Sequence, residues 1–271
     1  MVGIYPRGEN DQLGPEAARI LAMVSWHMPA EQLVFMTVAI FLIALLYSSV
    51  GHAGASGYIA VLSLFGLSPT VIKPTALTLN IMVASIAAWQ FHRAGHFSWR
   101  LFWPFAILAI PLAFAGGYIN LPIHVFKIIV GIVLLLSAVR LLVRPPEEES
   151  IKEPSVPLSI SVGSGLGLLS GLTGTGGGIF LTPLLLFKRW AHAKRAAAVS
   201  AMFILGNSFA GLLGNISSTK SFPSFAITLA IAAVIGGAAG SYFGSQRFPH
   251  TVIKRLLAVV LIIAGTKLIF A

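Results

Sequence analysis

The chain has 271 residues, 56% of them hydrophobic and only 10% charged, with a formal net charge of +10 and no cysteine. A soluble domain carries about 25% charged residues, so this composition, with mean hydropathy +0.89, predicts an integral membrane protein and excludes disulfides, thiolate metal sites and thiol chemistry. The apolar runs are continuous and do not alternate, which argues against a β-barrel. They reach the roughly 18–20 residues that a crossing helix needs. Most basic residues lie in short loops between these runs, where they report orientation and do not point to nucleic acid.

Residues 1–30 form a polar tail punctuated by Pro and Gly, with an amphipathic stretch at 15–26. The basic start and apolar core of a secretory signal are not found there, so a free tail and a short surface helix both fit. The first half, 31–143, reads as five apolar segments at about 33–50, 54–67, 71–91, 101–119 and 123–142. A charged, proline-bounded linker follows at 144–155. The second half, 156–271, repeats the plan at about 156–172, 177–187, 193–215, 225–244 and 252–270. The second segment of each half is short for a crossing helix at 1.5 Å per residue.

Each short segment follows a glycine-rich break: Gly51-His52-Ala53-Gly54-Ala55-Ser56-Gly57 in one half and Gly171-Leu172-Thr173-Gly174-Thr175-Gly176-Gly177-Gly178 in the other. At a separation of 120, Gly51, Gly54 and Gly57 match Gly171, Gly174 and Gly177, which suggests an internal duplication. On that register His52 pairs with Leu172, and Gly57 and Gly177 open the helices that follow. Lys73 echoes Lys194, Lys127 echoes Lys254, and Gly116-Gly117 echo Gly236-Gly237 with Gly240 nearby. Small residues of this kind let membrane helices approach closely.

The distribution of basic residues chooses between arrangements of the halves. With a cytoplasmic linker and inverted repeats, Arg93, Arg100, Arg140, Arg144, Lys152, Lys188, Arg189, Lys194, Arg195, Arg247, Lys254 and Arg255 fall inside. Only Arg7, Arg19, Lys73, Lys127, Lys220 and Lys267 fall outside. With parallel halves the same eighteen charges divide evenly. The expected fold is therefore an all-α polytopic membrane protein of two inverted five-segment repeats with Gly-broken helices. Two forms of the break stay open. The first two segments of each half can both cross, or they can form a hairpin that dips in and turns back.

The acidic residues are Glu9, Asp11, Glu16, Glu31, Glu147, Glu148, Glu149 and Glu153, so neither membrane half holds a carboxylate beyond its edge. That removes the usual acid/base pairs and oxygen-rich cation sites. A helix beginning after a glycine-rich turn aims free N–H groups and the positive end of its dipole at whatever lies there. Two such starts with hydroxyls beside them make a site for an anion. The expected substrate-binding residues are Ser49, Gly51, His52, Gly54, Ser56, Gly57, Thr78, Asn80, Thr173, Gly174, Thr175, Gly176, Gly177, Ser200 and Asn207. Ser208 is a further polar residue of the second copy. His52, the one titratable group in either break, reads equally as an anion ligand, a proton carrier or a neutral histidine bonded in the bend. For Thr78, Asn80, Ser200 and Asn207 the ordinary alternative is hydrogen bonding between helices. The basic stretches 92–100 and 188–195 read as cytoplasmic loops with interfacial aromatics, and also as surfaces that raise the local concentration of an anion.

No HExxH, Walker loop or DxD occurs, and Gly174-Thr175-Gly176-Gly177-Gly178 lacks the Gly-Lys-Ser/Thr end of a phosphate loop. Neither an enzyme nor an ATP-driven pump is expected, and neither a cofactor nor a bound metal. The paired pattern resembles the sulfite exporter TauE/SafE family of membrane permeases. Its carriers here are Gly51–Gly57 with Pro74-Thr75-Ala76-Leu77, and Gly171–Gly178 with Leu181-Thr182-Pro183 and Ala196-Ala197-Ala198-Val199-Ser200. The match covers about residues 33–270, and its first copy is the less glycine-rich. The resemblance implies a multi-pass protein of the bacterial inner membrane that moves small anions such as sulfite or sulfonates, as a secondary transporter and exporter. The partners expected are the lipid bilayer and a small anionic substrate, without nucleic acid; a homodimer is compatible. A metal-cation permease and a non-transporting membrane scaffold are the competing readings.

Overall fold

A computed structural model describes residues 30–67, 69–119, 135, 139, 152–219 and 226–249, together with 251, 252, 255, 256, 258, 259, 262, 263 and 266. The expected tail up to residue 29, most of the linker, nearly all of the first fifth segment and more than half of the second lie outside the described residues. Met1–Phe35 make one unit and Met36–Ala271 a second. Of the first, residues 30–35 are described, as the opening turns of a helix.

The protein is all-helical among the described residues. Helix α1 is Ala30–Ser48, α2 Ala55–Leu64, α3 Pro69–Arg93, α4 Trp99–Tyr118, α5 Val156–Thr173, α6 Gly178–Phe187, α7 Ala193–Thr219 and α8 Ala226–Tyr242, which runs on as a π-helical turn at Phe243–Arg247. α1, α3, α4, α5 and α7 are each long and apolar enough to cross a membrane. α2 and α6 have ten residues each, about 15 Å at 1.5 Å per residue against a hydrocarbon core of about 30 Å. Each half thus has the same order: a long helix, a break, a ten-residue helix and two further helices.

The helices stop for local reasons. α1 ends in a Schellman arrangement, in which Gly51 N–H donates to Ser48 O at 3.0 Å and His52 N–H to Tyr47 O at 2.9 Å. Gly51 holds the left-handed φ of +77° that this cap requires. α5 ends with the simpler cap, Gly174 N–H donating to Ser170 O at 2.9 Å with φ +74°. α4 begins after Ser98, whose side chain accepts from Leu101 N–H; this is an ordinary N-cap.

Glycine spacing then sets how the helices pack. A Cβ at Gly163, Gly167 or Gly171 of α5 would fall on the backbone of Phe105, Ala109 or Ala113 in α4. The two number series rise together, so α4 and α5 run parallel with their backbones in contact. Gly236, Gly240 and Gly244 meet Phe41, Leu45 and Ser49 in the same manner, which makes α8 parallel to α1 over the second unit. Without a hydrophobic drive between helices in lipid, such close backbone approach is a main source of association. On the outer side of α8, Ile227, Ile231 and Ile235 are exposed; in a bilayer this stripe, at four-residue steps, meets acyl chains. α3 and α7 cross antiparallel through their middles: Leu77 faces Gly211, Asn80 bonds Ser208, Ala87 and Ala88 pack on Ala201, and Phe91 packs on Ala197 and Ala198.

Candidate functional site

Both breaks are buried against α7. At the first, a Cβ on Gly51 would strike the backbone of Ala197; at the second, one on Gly176 would strike Ile204, Ser208 and Asn80, and one on Gly178 would strike Ile204. Ala197, Ser200, Ile204 and Ser208 share one face of α7 at three- and four-residue steps. The stretch from 197 to 208 is about 16 Å long at helical rise. The second turn lies level with Asn80, near the middle of the 25-residue α3.

At the first turn His52 is buried, 2% exposed. Its Nε2 lies 2.9 Å from Thr182 Oγ1 of α6, and Thr182 Oγ1 donates to Ser200 Oγ of α7 at 2.7 Å. With the Thr182 proton directed at Ser200, His52 Nε2–H is the donor and Nδ1 is left as a bare acceptor. Nδ1 has no hydrogen-bond partner. The bend is braced by aromatics, since Tyr58 Oη donates to Ala53 O at 2.5 Å and Ser56 Oγ to Tyr47 Oη at 3.4 Å. Ser49 Oγ turns back to Leu46 O.

The second turn is held by an amide and not by a ring. Asn80 Nδ2 donates to Thr175 O at 3.3 Å and to Ser208 Oγ at 3.2 Å. Thr173 Oγ1 donates to Leu169 O and lies 2.9 Å from Thr175 Oγ1. Phe180 and Leu181 are the first amides of α6 to reach a backbone acceptor, both at Gly177 O. The preceding amides are those that a helix start leaves for other partners. Asn80 Oδ1 and both polar atoms of Asn207 are buried and unpartnered, as are Ser48 Oγ, Ser170 Oγ and Thr75 Oγ1. An interior polar atom without a partner costs about 1–3 kcal/mol, so each of these atoms is a place where a polar ligand or water is expected.

The structure therefore joins most of the expected residues and corrects several. Gly51, His52, Gly54, Thr173, Gly174, Thr175, Gly176 and Gly177 form the two turns, and Asn80 and Ser200 touch them directly or through one residue. Gly57 does not open a helix; it lies within α2 and packs on Ile43. Gly171 likewise lies within α5. Within the two turns the left-handed glycines are Gly51 and Gly54 in one and Gly174, Gly176 and Gly177 in the other. Gly51 thus corresponds to Gly174 and Gly54 to Gly177, at a separation of 123 and not 120. The helix starts Ala55 and Gly178 keep the same separation. His52 then pairs with Thr175, not Leu172. Thr78 Oγ1 bonds Pro74 O of its own helix. The sequence reading missed Thr182, Tyr47 and Tyr58 as site residues; a lone Thr next to Pro183 in an apolar run was the signal for the first.

These features define a polytopic helical membrane protein with two glycine-broken turns buried at its centre. The sulfite exporter TauE/SafE family matches residues 36–268, and the chain belongs to that family. It is 40% identical over 240 residues to a "Probable membrane transporter protein y4hK" of Sinorhizobium fredii (strain NBRC 101917 / NGR234), covering 87% of this chain and 97% of the relative. No solved structure matches. The protein is a multi-pass membrane transporter.

Proposed function

We propose that the protein is a secondary transporter that exports small anions such as sulfite or organosulfonates across the bacterial cytoplasmic membrane. The observation that carries this is the convergence of two glycine-broken turns from different halves on one face of α7, in a membrane body without Asp or Glu between 32 and 146 or between 154 and 271. Helix-start amides and hydroxyls are donors, and a site of donors without carboxylates suits an anion.

The inverted-repeat reading, with divisions at 31–143 and 156–271 around a cytoplasmic linker, is supported by the shared element order and by the antiparallel crossing of the equivalent helices α3 and α7. The parallel pairs α4–α5 and α1–α8 fit it too. Such halves can rock about a site at their interface to alternate access. With no membrane carboxylate, proton coupling falls to His52 or to the substrate itself.

Purified protein in liposomes, loaded with labelled sulfite and given a pH gradient, tests the proposal. Saturable sulfite or sulfonate efflux is expected. Transport of divalent cations with no anion flux would replace it with the metal-permease reading, and absence of both would leave a scaffold.

A further inference from the structure

Lys73 is the charged group at the turns that the site as described does not use. It is the fifth residue of α3, inside the apolar stretch Thr70–Arg93. Its half-buried side chain lies along the second turn: a Cβ on Gly174 would come within 3.0 Å of Lys73 Cγ. Lys73 Nζ donates to Gly117 O at 3.2 Å, and an ammonium has three donors to place. Among the described residues the acids are Glu31 and Glu153, and Glu153 pairs with Arg100 at 2.8 Å. The ammonium therefore has no carboxylate to neutralise it there.

The same face of α3 continues two turns on, about 10 Å at helical rise, to Asn80, which holds Thr175 O. A cation and an amide thus bracket Gly174, Thr175 and Gly176. At the first turn the residue facing Gly51 is Ala197, and the lysine one turn back on α7, Lys194, bonds Ser245 O. An uncompensated ionisable residue in a membrane helix is costly and marks a pathway or site.

We propose that Lys73 is the cationic specificity element of the second turn, drawing a small oxyanion towards the amides that precede Phe180 and excluding cations. This rests on the anion-transport reading and names the residue that enforces it. The competing role is structural. Gly117 lies in the last turn of α4, where a cation complements the helix dipole.

The test compares wild type, Lys73→Gln and Lys73→Arg in proteoliposomes over a range of sulfite concentrations and salt, with thermal unfolding of each in detergent. Lys73→Gln should raise KM for sulfite about tenfold or more, the scale of a single-sign local-concentration effect, and weaken its salt dependence. Lys73→Arg should restore both. Lower thermal stability with unchanged KM would overturn the assignment in favour of the helix-end role, and so would an unchanged KM at normal stability. A wild-type protein that moves no small anion overturns the transport reading itself, and the assignment with it.

Discussion

The two turns share a backbone and differ in nearly everything attached to it. Each has left-handed glycines three residues apart, Gly51 with Gly54 and Gly174 with Gly177, and each leads into a ten-residue helix. The first is braced by Tyr47 and Tyr58 and tied by His52 through Thr182 to Ser200. The second has Gly176 beside Gly177, hydroxyls at Thr173 and Thr175, and Lys73 and Asn80 along its flank. Whatever both turns do is therefore a backbone property: ending a helix deep in the protein and starting another. Whatever distinguishes them lies in side chains, with the first turn latched by a buried hydrogen-bond chain and the second left richer in donors.

The sharpest break in this comparison should come from Gly51→Ala. A left-handed non-glycine residue costs about 1–2 kcal/mol, and here the atoms nearest the new Cβ are the Ala197 backbone, which adds about 1–3 kcal/mol of overpacking. Loss of folded protein on solubilisation is expected; a normal melting temperature would contradict the close approach. Gly176→Ala carries the same conformational cost, but its Cβ would meet side-chain atoms, Asn80 Nδ2, Ile204 Cγ2 and Ser208 Oγ, at 2.8 Å, and side chains yield more readily than backbone. Folded protein with little or no flux is expected, so melting and transport should separate at Gly176 but not at Gly51.

The latch is tested next. Thr182→Val strips His52 Nε2 of its acceptor and Ser200 of its donor, a loss of about 1–3 kcal/mol. Combined with His52→Leu the effects should fall short of additive, with a coupling of about 0.5–3 kcal/mol. Strict additivity in detergent unfolding would show that the chain does not act as a unit.

The smallest effect lies at the loop between α3 and α4. His96 Nε2 and Lys194 Nζ each lie 3.2 Å from Ser245 O, inside the π-helical turn. Burial holds the His96 imidazole below its ordinary pKa, the Ser245 carbonyl opposes that shift, and the Lys194 ammonium adds to it. The folded protein therefore resists protonating His96 more than the unfolded chain does. Its contribution is intact above the ordinary value of about 6.5 and declines as pH falls through the lowered folded value. Wild type should lose melting temperature below neutrality faster than His96→Asn, and parallel pH profiles would remove this role.

Much of this protein was legible along the chain. Composition fixed the membrane class, because an apolar body with its acids outside the membrane segments cannot remain in water. The order of long and short helices followed from run length, and the breaks from glycine. What tertiary structure decided was register and partnership. Glycines three residues apart in both clusters allow a slip of three that keeps two of the three matches and sets Gly57 against Phe180, and only the left-handed caps at Gly51 and Gly174 select the separation of 123. The His52–Thr182 and Asn80–Thr175 contacts span 130 and 95 residues. No local propensity encodes such pairs; they arise when helices separated in sequence close on α7, and packing alone determines which polar atoms meet there.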